Sequence, residues 1–401
     1  MTETAPAMGS LAGLRVVDLT MSVAGPFTTQ ILGDLGADVI KIERPPDGDD
    51  TRRWGPPFWG VDSAQYQGWN RNKRSLLLDL KDEEARATLR DLVRGADVLV
   101  QNLRPGRLTE LGFGYQAVAE LNPRLVYCEI SGYGPVGPLA DRPAYDPLMQ
   151  AFGGLMSLTG EDGSAPVRIP ASILDQGSAM WAVIGILDAL RRREATGRGS
   201  LVQTSLLETA VAWLPSHYMG YFAAGVVPPR QGSAAMGIAP YQAFPTSDGW
   251  VIIAAANDNL WQRLCEAIGR PDLLADERFT TNPDRVTHRD ELTGELSATL
   301  RTQTSAHWLE TLADAGVPVT PIQTIDQVAD HEQVHAVSAF EAVPHPEIDD
   351  LRLINTPIRI DGAHYPIRRP PPRLGEGGDD VLSELSTRAT SNSPAETSHA
   401  R

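Results

Sequence analysis

Cysteine is scarce in this chain: Cys128 and Cys265 are the only two among 401 residues. Two thiols do not make a disulfide framework, which excludes a small bridged scaffold. Positive charge is also short, with 35 Lys and Arg against 51 Asp and Glu and a net charge of -16. A chain this acidic repels nucleic acid and anionic lipid unless its cations are segregated. No apolar run reaches the roughly 18 residues of a membrane span. The opening MTETAPAMGS has neither a basic n-region nor an apolar h-region, so it does not read as a secretory signal. G-x-S-x-G is missing, and with it a serine-hydrolase elbow. No internal repeat is found. The expectation is a soluble, cytoplasmic protein that partners neither nucleic acid nor membrane.

Apolar residues are plentiful at 42%, and a chain of this length exceeds one ordinary core, so two domains are expected. Strand-like runs alternate with helix-like ones. LRVVDLT (14–20), DVIKIE (38–43), SLLLDL (75–80), DVLVQNL (97–103) and RLVYCEI (124–130) read as buried strands. GPFTTQILGDLGA and the amphipathic DEEARATLRDLVRGA read as helices between them. This order predicts β-α-β units and an open parallel sheet of Rossmann-like α/β type, with ligands at the carboxyl ends of its strands. A helix is expected from about residue 176 to 194, ending in RRRE near Gly197. The Pro/Gly-rich GVVPPRQGSAAMG (225–237) marks a crossing into a smaller α+β unit that opens on a hairpin in PYQAFPTSDGWVIIAAA. The predicted organisation is a larger first part at 1–224, a smaller unit at 225–328, a further stretch at 329–386 and a disordered tail at 387–401. Residues 1–10 also read as disordered.

Three patterns bear on chemistry. GYGPVG (132–137) fits G-x-G-x-x-G after a strand, but Pro135 and Pro138 oppose the helix that a dinucleotide site needs, so turn glycines are the better reading. HEQVH (331–335) fits H-E-x-x-H, yet Ser338 and Glu341 stand where a metzincin has Gly and a third His. A polar surface helix is favoured, a zinc hydrolase is a distant alternative, and no metal ligand is assigned. Cations gather near predicted strand ends: Lys41, Arg44, Arg52, Arg53, the RNKR run at 71–74, Lys81, Arg104 and Arg107. They fit either solvated loops or a small ligand with several phosphates. Asp175, in ASILDQGSAM, precedes a long apolar helix. It is either an N-cap or a nucleophile, and the two roles are compatible.

The chain resembles the class III CoA-transferase family, which includes formyl-CoA:oxalate and carnitine CoA-transferases. The resemblance rests on LAGLRVVDLT…AGPF, LGDLGADVIKIERPPDGDDTR, NRNKRSLLLDLK, ADVLVQNLRPG, NPRLVYCEISGYGPVGP, YDPLMQAFGGLMSLTG, RREATGRG and PPPRLGEG. RRWGPPF and PYQAF look like the branch that acts on glutarate and similar dicarboxylates. The resemblance implies a large α/β domain from both chain ends, a small domain from the middle, and an interlocked homodimer. It implies Asp175 as the nucleophile, and a CoA site at Ala24, Arg44, Leu78, Asp79, Lys81, Asn102, Leu103, Arg104, Tyr145 and Asp146. CoA or acyl-CoA enters as substrate, with no tightly bound cofactor. Arg168, Gly177, Arg230 and Gly232 are candidates for the acyl or acid side.

Two departures shape the expectation. The four-glycine loop of formyl-CoA transferase is replaced by RQGSAAMG, with Gly232 and Gly237, which argues against oxalate or formate. Related α-methylacyl-CoA racemases carry GHD where this chain has AYD. Tyr145, with an ordinary phenol pKa of about 10, is a poor two-way proton shuttle. CoA transfer to a dicarboxylic acid therefore leads. An acyl-CoA racemase, or a CoA-binding protein without transfer, follows.

Overall fold

The computed structural model describes residues 9–391, with side chains to 387. Six strands form the main sheet: β1 (Arg15–Leu19), β2 (Asp38–Glu43), β3 (Lys73–Leu77), β4 (Val98–Gln101), β5 (Val126–Ser131) and β6 (Leu201–Ser205). Every neighbouring pair is parallel, in the order β3-β2-β1-β4-β5-β6. This is the Rossmann order, and it reverses direction between β1 and β4. The expected parallel α/β sheet is present.

One expected strand is displaced. SLLLDL predicts 75–80, whereas β3 begins at Lys73. The charges that disguised its start are buried in ion pairs: Lys73 with Asp18 at 3.1 Å and Arg74 with Asp38 at 2.7 Å.

Helix α1 (Ala24–Asp34) follows β1 and is buried at ten of its eleven positions. Gly25 lies so close to Thr20 that an added Cβ would fall 2.3 Å from its side chain. Helices α2 (Glu83–Arg94) and α3 (Tyr115–Leu121) follow in turn. Leu89, Leu92, Val93 and Val118 pack with Val17, Ile40, Leu99 and Tyr127 in one core. The last helix, Gly378–Ser391, returns Val381 to that core. The expected disordered tail thus gives way to helix up to residue 391, and its remainder lies outside the described residues.

Between residues 132 and 145 the chain forms turns and no helix. Gly134 and Gly137 have φ values of 97° and 100°, which side-chain-bearing residues rarely adopt. A short helix, α4 (Asp146–Phe152), and then the 24-residue α5 (Ile173–Thr196) follow. By length and composition α5 is apolar enough to cross a membrane, although Asp188 interrupts its apolar run. It packs instead against α1, β5 and β6. Ala179, Ala182 and Ile186 are fully buried, so α5 is a core helix of this domain. Helix α6 (Leu206–Ala212) completes the layer.

The chain divides into two compact units. One comprises 1–154, 169–216 and 333–401, and the other 155–168 and 217–332. The second unit thus includes 155–168, which the sequence reading placed in the large domain, and it starts eight residues earlier than the Pro/Gly-rich crossing. It has its own antiparallel sheet of β7 (Tyr241–Pro245), β8 (Trp250–Ala254) and β9 (Val319–Pro321). Its separate core includes Phe244, Trp261, Leu296 and Trp308.

Candidate active site

The carboxyl edge of the main sheet converges on the β1/β4 switch point. The β1–α1 turn is held there by buried charge. Lys41 Nζ donates to Thr20 O at 2.9 Å and pairs with Asp49 at 2.8 Å. Lys73 Nζ donates to Asp18 (3.1 Å), Pro26 O (2.9 Å) and Asn70 Oδ1 (2.9 Å). Asp49 also accepts from Ser22 N at 3.2 Å, which helps hold Ser22 at a φ of 67°. Helix α1 starts here with no side-chain cap, so its first amides face the crevice where the fold places anionic ligands.

These contacts correct the reading of the cation cluster. Lys41, Arg52, Arg71, Lys73 and Arg74 are buried and paired with carboxylates. They build the fold and are not free for phosphate. Arg53 and Arg107 are exposed but paired with Asp47 and Glu110. Arg44, Lys81 and Arg104 are exposed and make no ion pair among the described residues. The resemblance named these same three cations for CoA. Leu78 and Asp79 follow β3 at the same edge. Asn102 is engaged elsewhere, since its side chain donates to Met21 O at 2.8 Å and accepts from Met21 N at 2.9 Å. It fastens the loops after β1 and β4 across the switch point. Leu103 N is held by Gln101 Oε1 at 2.9 Å. Ala24 is buried, which leaves it its backbone for contact with a ligand.

Asp175 is the third residue of α5, not its N-cap. The N-cap is Ser172, whose side chain makes no capping bond. The cap comes from α4: Asp146 Oδ2 accepts from Leu174 N at 2.7 Å and from Asp175 N at 3.1 Å. Asp146 Oδ1 accepts from Gln150 Nε2 at 2.5 Å, and Gln150 Oε1 accepts from Ile169 N at 2.8 Å. Asp146 is 2% exposed, so it positions the nucleophile candidate and is not an open CoA contact. Tyr145, the N-cap of α4, is 60% exposed.

The Asp175 carboxylate accepts no hydrogen bond among the described residues. Burial, reinforced by the Asp146 charge, raises its pKa to about 7. A helix start favours an ionised carboxylate, but Asp146 already occupies the two amides nearest to Asp175. The outcome is a poorly solvated carboxyl, poised near neutrality, whose oxygens no protein group engages. Asp146→Asn removes the opposing charge and keeps an acceptor for Leu174 N. The acidic limb of the pH–activity profile should then move to lower pH, by about one unit or more. An unmoved limb would mean that Asp146 does not act on Asp175.

Gly177 was expected to let backbone approach the acyl group. It faces α6 instead: an added Cβ would lie 2.6 Å from Trp213 Cζ2 and 2.8 Å from Thr209 Cγ2. The glycine lets two helices meet. Gly177→Ala should therefore lower stability by about 1–2 kcal/mol in chemical denaturation, overpacking outweighing the gain in helix propensity. Arg168, Arg230 and Gly232 belong to the second unit. There Arg230 donates to Ser164 O, and Gly232 N donates to Gly160 O at 3.0 Å. Gly232, at a φ of 57°, sits where a Cβ would strike Glu161. Only Glu332–His335 of HEQVH lie in a helix, the five-residue Glu332–Ala336; His331 precedes it, and both histidines are exposed. Gln150 was missed, although its spacing of four from Asp146 was a readable signal. Of the buried Asp18, Lys41, Lys73 and Asp49 set, the first three were signalled by charges inside otherwise apolar strands.

The structure sets a half-buried carboxyl at a helix start beside a Rossmann-ordered sheet, and known proteins give this arrangement its class. Residues 11–378 match CoA-transferase family III. Acetyl-CoA:oxalate CoA-transferase of Acetobacter aceti is 40% identical over 96% of this chain and 98% of its own. Succinyl-CoA:glutarate CoA-transferase of Mus musculus is 36% identical over 94% of this chain and 87% of its own. Among solved structures, a CaiB/BaiF family protein from Brucella suis is 39% identical, covers 94% of this chain and 100% of its own, and gives a TM-score of 0.86. The chain belongs to CoA-transferase family III and is a CoA-transferase. The oxalate-named relative is 40% identical and the glutarate-named one 36%, so identity by itself does not name the acceptor acid.

Proposed function

We propose that the protein moves CoA from an acyl-CoA, of which succinyl-CoA is one candidate, to a dicarboxylic acid through covalent intermediates on Asp175. The observation that carries this reading is the Asp175 carboxylate: desolvated, unengaged and backed by Asp146 at the start of α5. Its ionised oxygen attacks the thioester carbonyl, the C–S bond breaks, and a mixed anhydride forms with release of CoA thiolate. The thiolate attacks the aspartyl carbonyl, giving an aspartyl-CoA thioester and freeing the donor acid. The acceptor carboxylate then attacks that thioester, and a second anhydride and thiolate form. The thiolate takes the acceptor acyl group, and Asp175 returns as carboxylate. No net proton is consumed.

Arg44, Lys81 and Arg104 bind the phosphates and nucleotide of CoA beside the uncapped start of α1. Arg168 and Arg230 are proposed for a distal substrate carboxylate, Gly232 for the shape of the same loop. The dicarboxylate class is supported by the relatives named for glutarate, mesaconate and oxalate. A homodimer is proposed as the working unit. Its support is the apolar surface that α4 and α5 leave open: Leu148, Phe152, Met180, Trp181 and Ile184 are each 44% exposed or more. Patches of this kind mark association surfaces. Sedimentation at micromolar concentration should give twice the chain mass. Incubation with succinyl-CoA and a panel of acids, read by mass spectrometry, tests the activity. CoA passing only to monocarboxylates, or to none, would overturn the substrate class.

A further inference from the structure

The amino edge of the main sheet carries a second cavity, of about 330 Å³, lined by Gly13, Gly36, Asp38, Asn72, Arg74, Arg368 and Arg369 among others. It stands at the start of β2, whereas Arg44 follows that strand's other end. Six residues of strand put roughly 17 Å between them. The cavity's charge is not balanced. Asp38 is taken by Arg15 and Arg74, and Glu384 by the same two arginines. Arg368 and Arg369 make no ion pair among the described residues. Arg368 Nη2 donates to Gly33 O (2.6 Å) and Ala37 O (2.9 Å), at the carboxyl end of α1. The Arg369 guanidinium makes no hydrogen bond among the described residues. Burial and the Arg369 charge beside it hold the Arg368 pKa below its ordinary value.

The backbone of this pair is held in place. Asn72 Oδ1 accepts from Arg368 N at 2.7 Å and from Arg369 N at 3.0 Å. Asn72 itself sits at a φ of 60°, a conformation that asparagine tolerates better than most residues, and its Nδ2 is anchored to Asp34 at 2.7 Å. Gly13 and Gly36, both at positive φ, leave the floor free of side chains. Two consecutive arginines that make no ion pair among the described residues line this cavity, in a chain of net charge -16, and guanidinium forks recognise oxyanions.

We propose that this cavity binds a small oxyanion with two or more negative charges, a phosphate or a small polycarboxylate, between Arg368 and Arg369. The site is separate from the CoA edge. The test is thermal denaturation of the full chain at constant ionic strength, titrated with inorganic phosphate in one arm and malonate in the other. Sodium chloride serves as the control. A saturable rise in Tm of about 2–4 °C is expected in at least one arm, and the arm that responds identifies the source. Arg369→Gln should abolish the rise while leaving the Tm without added anion within about 1 °C of the parent. Arg104→Ala, at the opposite edge, should retain it. No saturable rise in either arm, a rise kept by Arg369→Gln, or a rise lost in Arg104→Ala would each overturn the proposal.

Discussion

Asp175→Ala should reduce CoA transfer by about 10⁴-fold or more, because it removes the atom to which the acyl group is bonded. Hydroxylamine added during turnover should label Asp175 in the parent protein and nothing in the variant. Retention of a kcat within tenfold of the parent would end the covalent reading. Loss of activity through misfolding is separated by stability. The folded state raises the Asp175 pKa to about 7, above the ordinary carboxyl value. The folded form therefore holds that proton more tightly than the unfolded chain. Its contribution is fully present below about pH 4 and is lost as pH rises through 7. Above that, an ionised and poorly solvated Asp175 costs stability. Asp175→Asn should accordingly be more stable than the parent at pH 8, by about 1–2 kcal/mol after allowance for partial solvent contact. The gap should narrow as pH falls and close at about pH 4. A variant that is inactive and yet more stable at pH 8 is the signature of a group placed for chemistry at the expense of the fold.

Lys73→Met should cost about 3–5 kcal/mol, since it strands Asp18 as a buried charge. Asp18 and Lys73 are both fully buried. Burial alone would push the Asp18 carboxyl up. The Lys73 and Lys41 charges and the hydroxyls of Thr20 and Thr29 overcome it, holding the group at about 2. The stability that Asp18 contributes is thus present above about pH 4 and is lost as pH falls toward 2. The double variant Asp18→Asn with Lys73→Met should recover part of the loss, because the pair fails together. Additive losses in a chemical denaturation cycle would show that the two groups are not coupled. The Thr20–Val23 turn rests on this set, so Lys73→Met should also raise the KM for acyl-CoA by more than it lowers kcat.

The amino-acid order by itself determined the sheet. Alternating apolar runs and amphipathic helices are local patterns, and the parallel strands follow from them. It also carried the family, because phrases such as IKIERP and NRNKRS survive as contiguous text. It exposed Asp175 as an acid placed before an apolar helix. What it left open were the pairings that link distant positions. Lys41, Arg52, Lys73 and Arg74 read as free cations, since nothing local shows that carboxylates remote in the sequence neutralise them; Lys73 and Asp18 lie 55 residues apart. Asp146 read as a ligand contact, and only the fold brings it across 28 residues to the amides of α5. Gly177 read as room for substrate until Trp213 filled the space. Local periodicity depends on side-chain hydrophobicity within a few residues, so the sequence alone specifies the elements. Charge state and accessibility depend on which atoms surround a group. Only the tertiary structure decides that Asp175 stands half-buried, with its carboxylate unengaged among the described residues, while most of the cations near the strand ends are already paired.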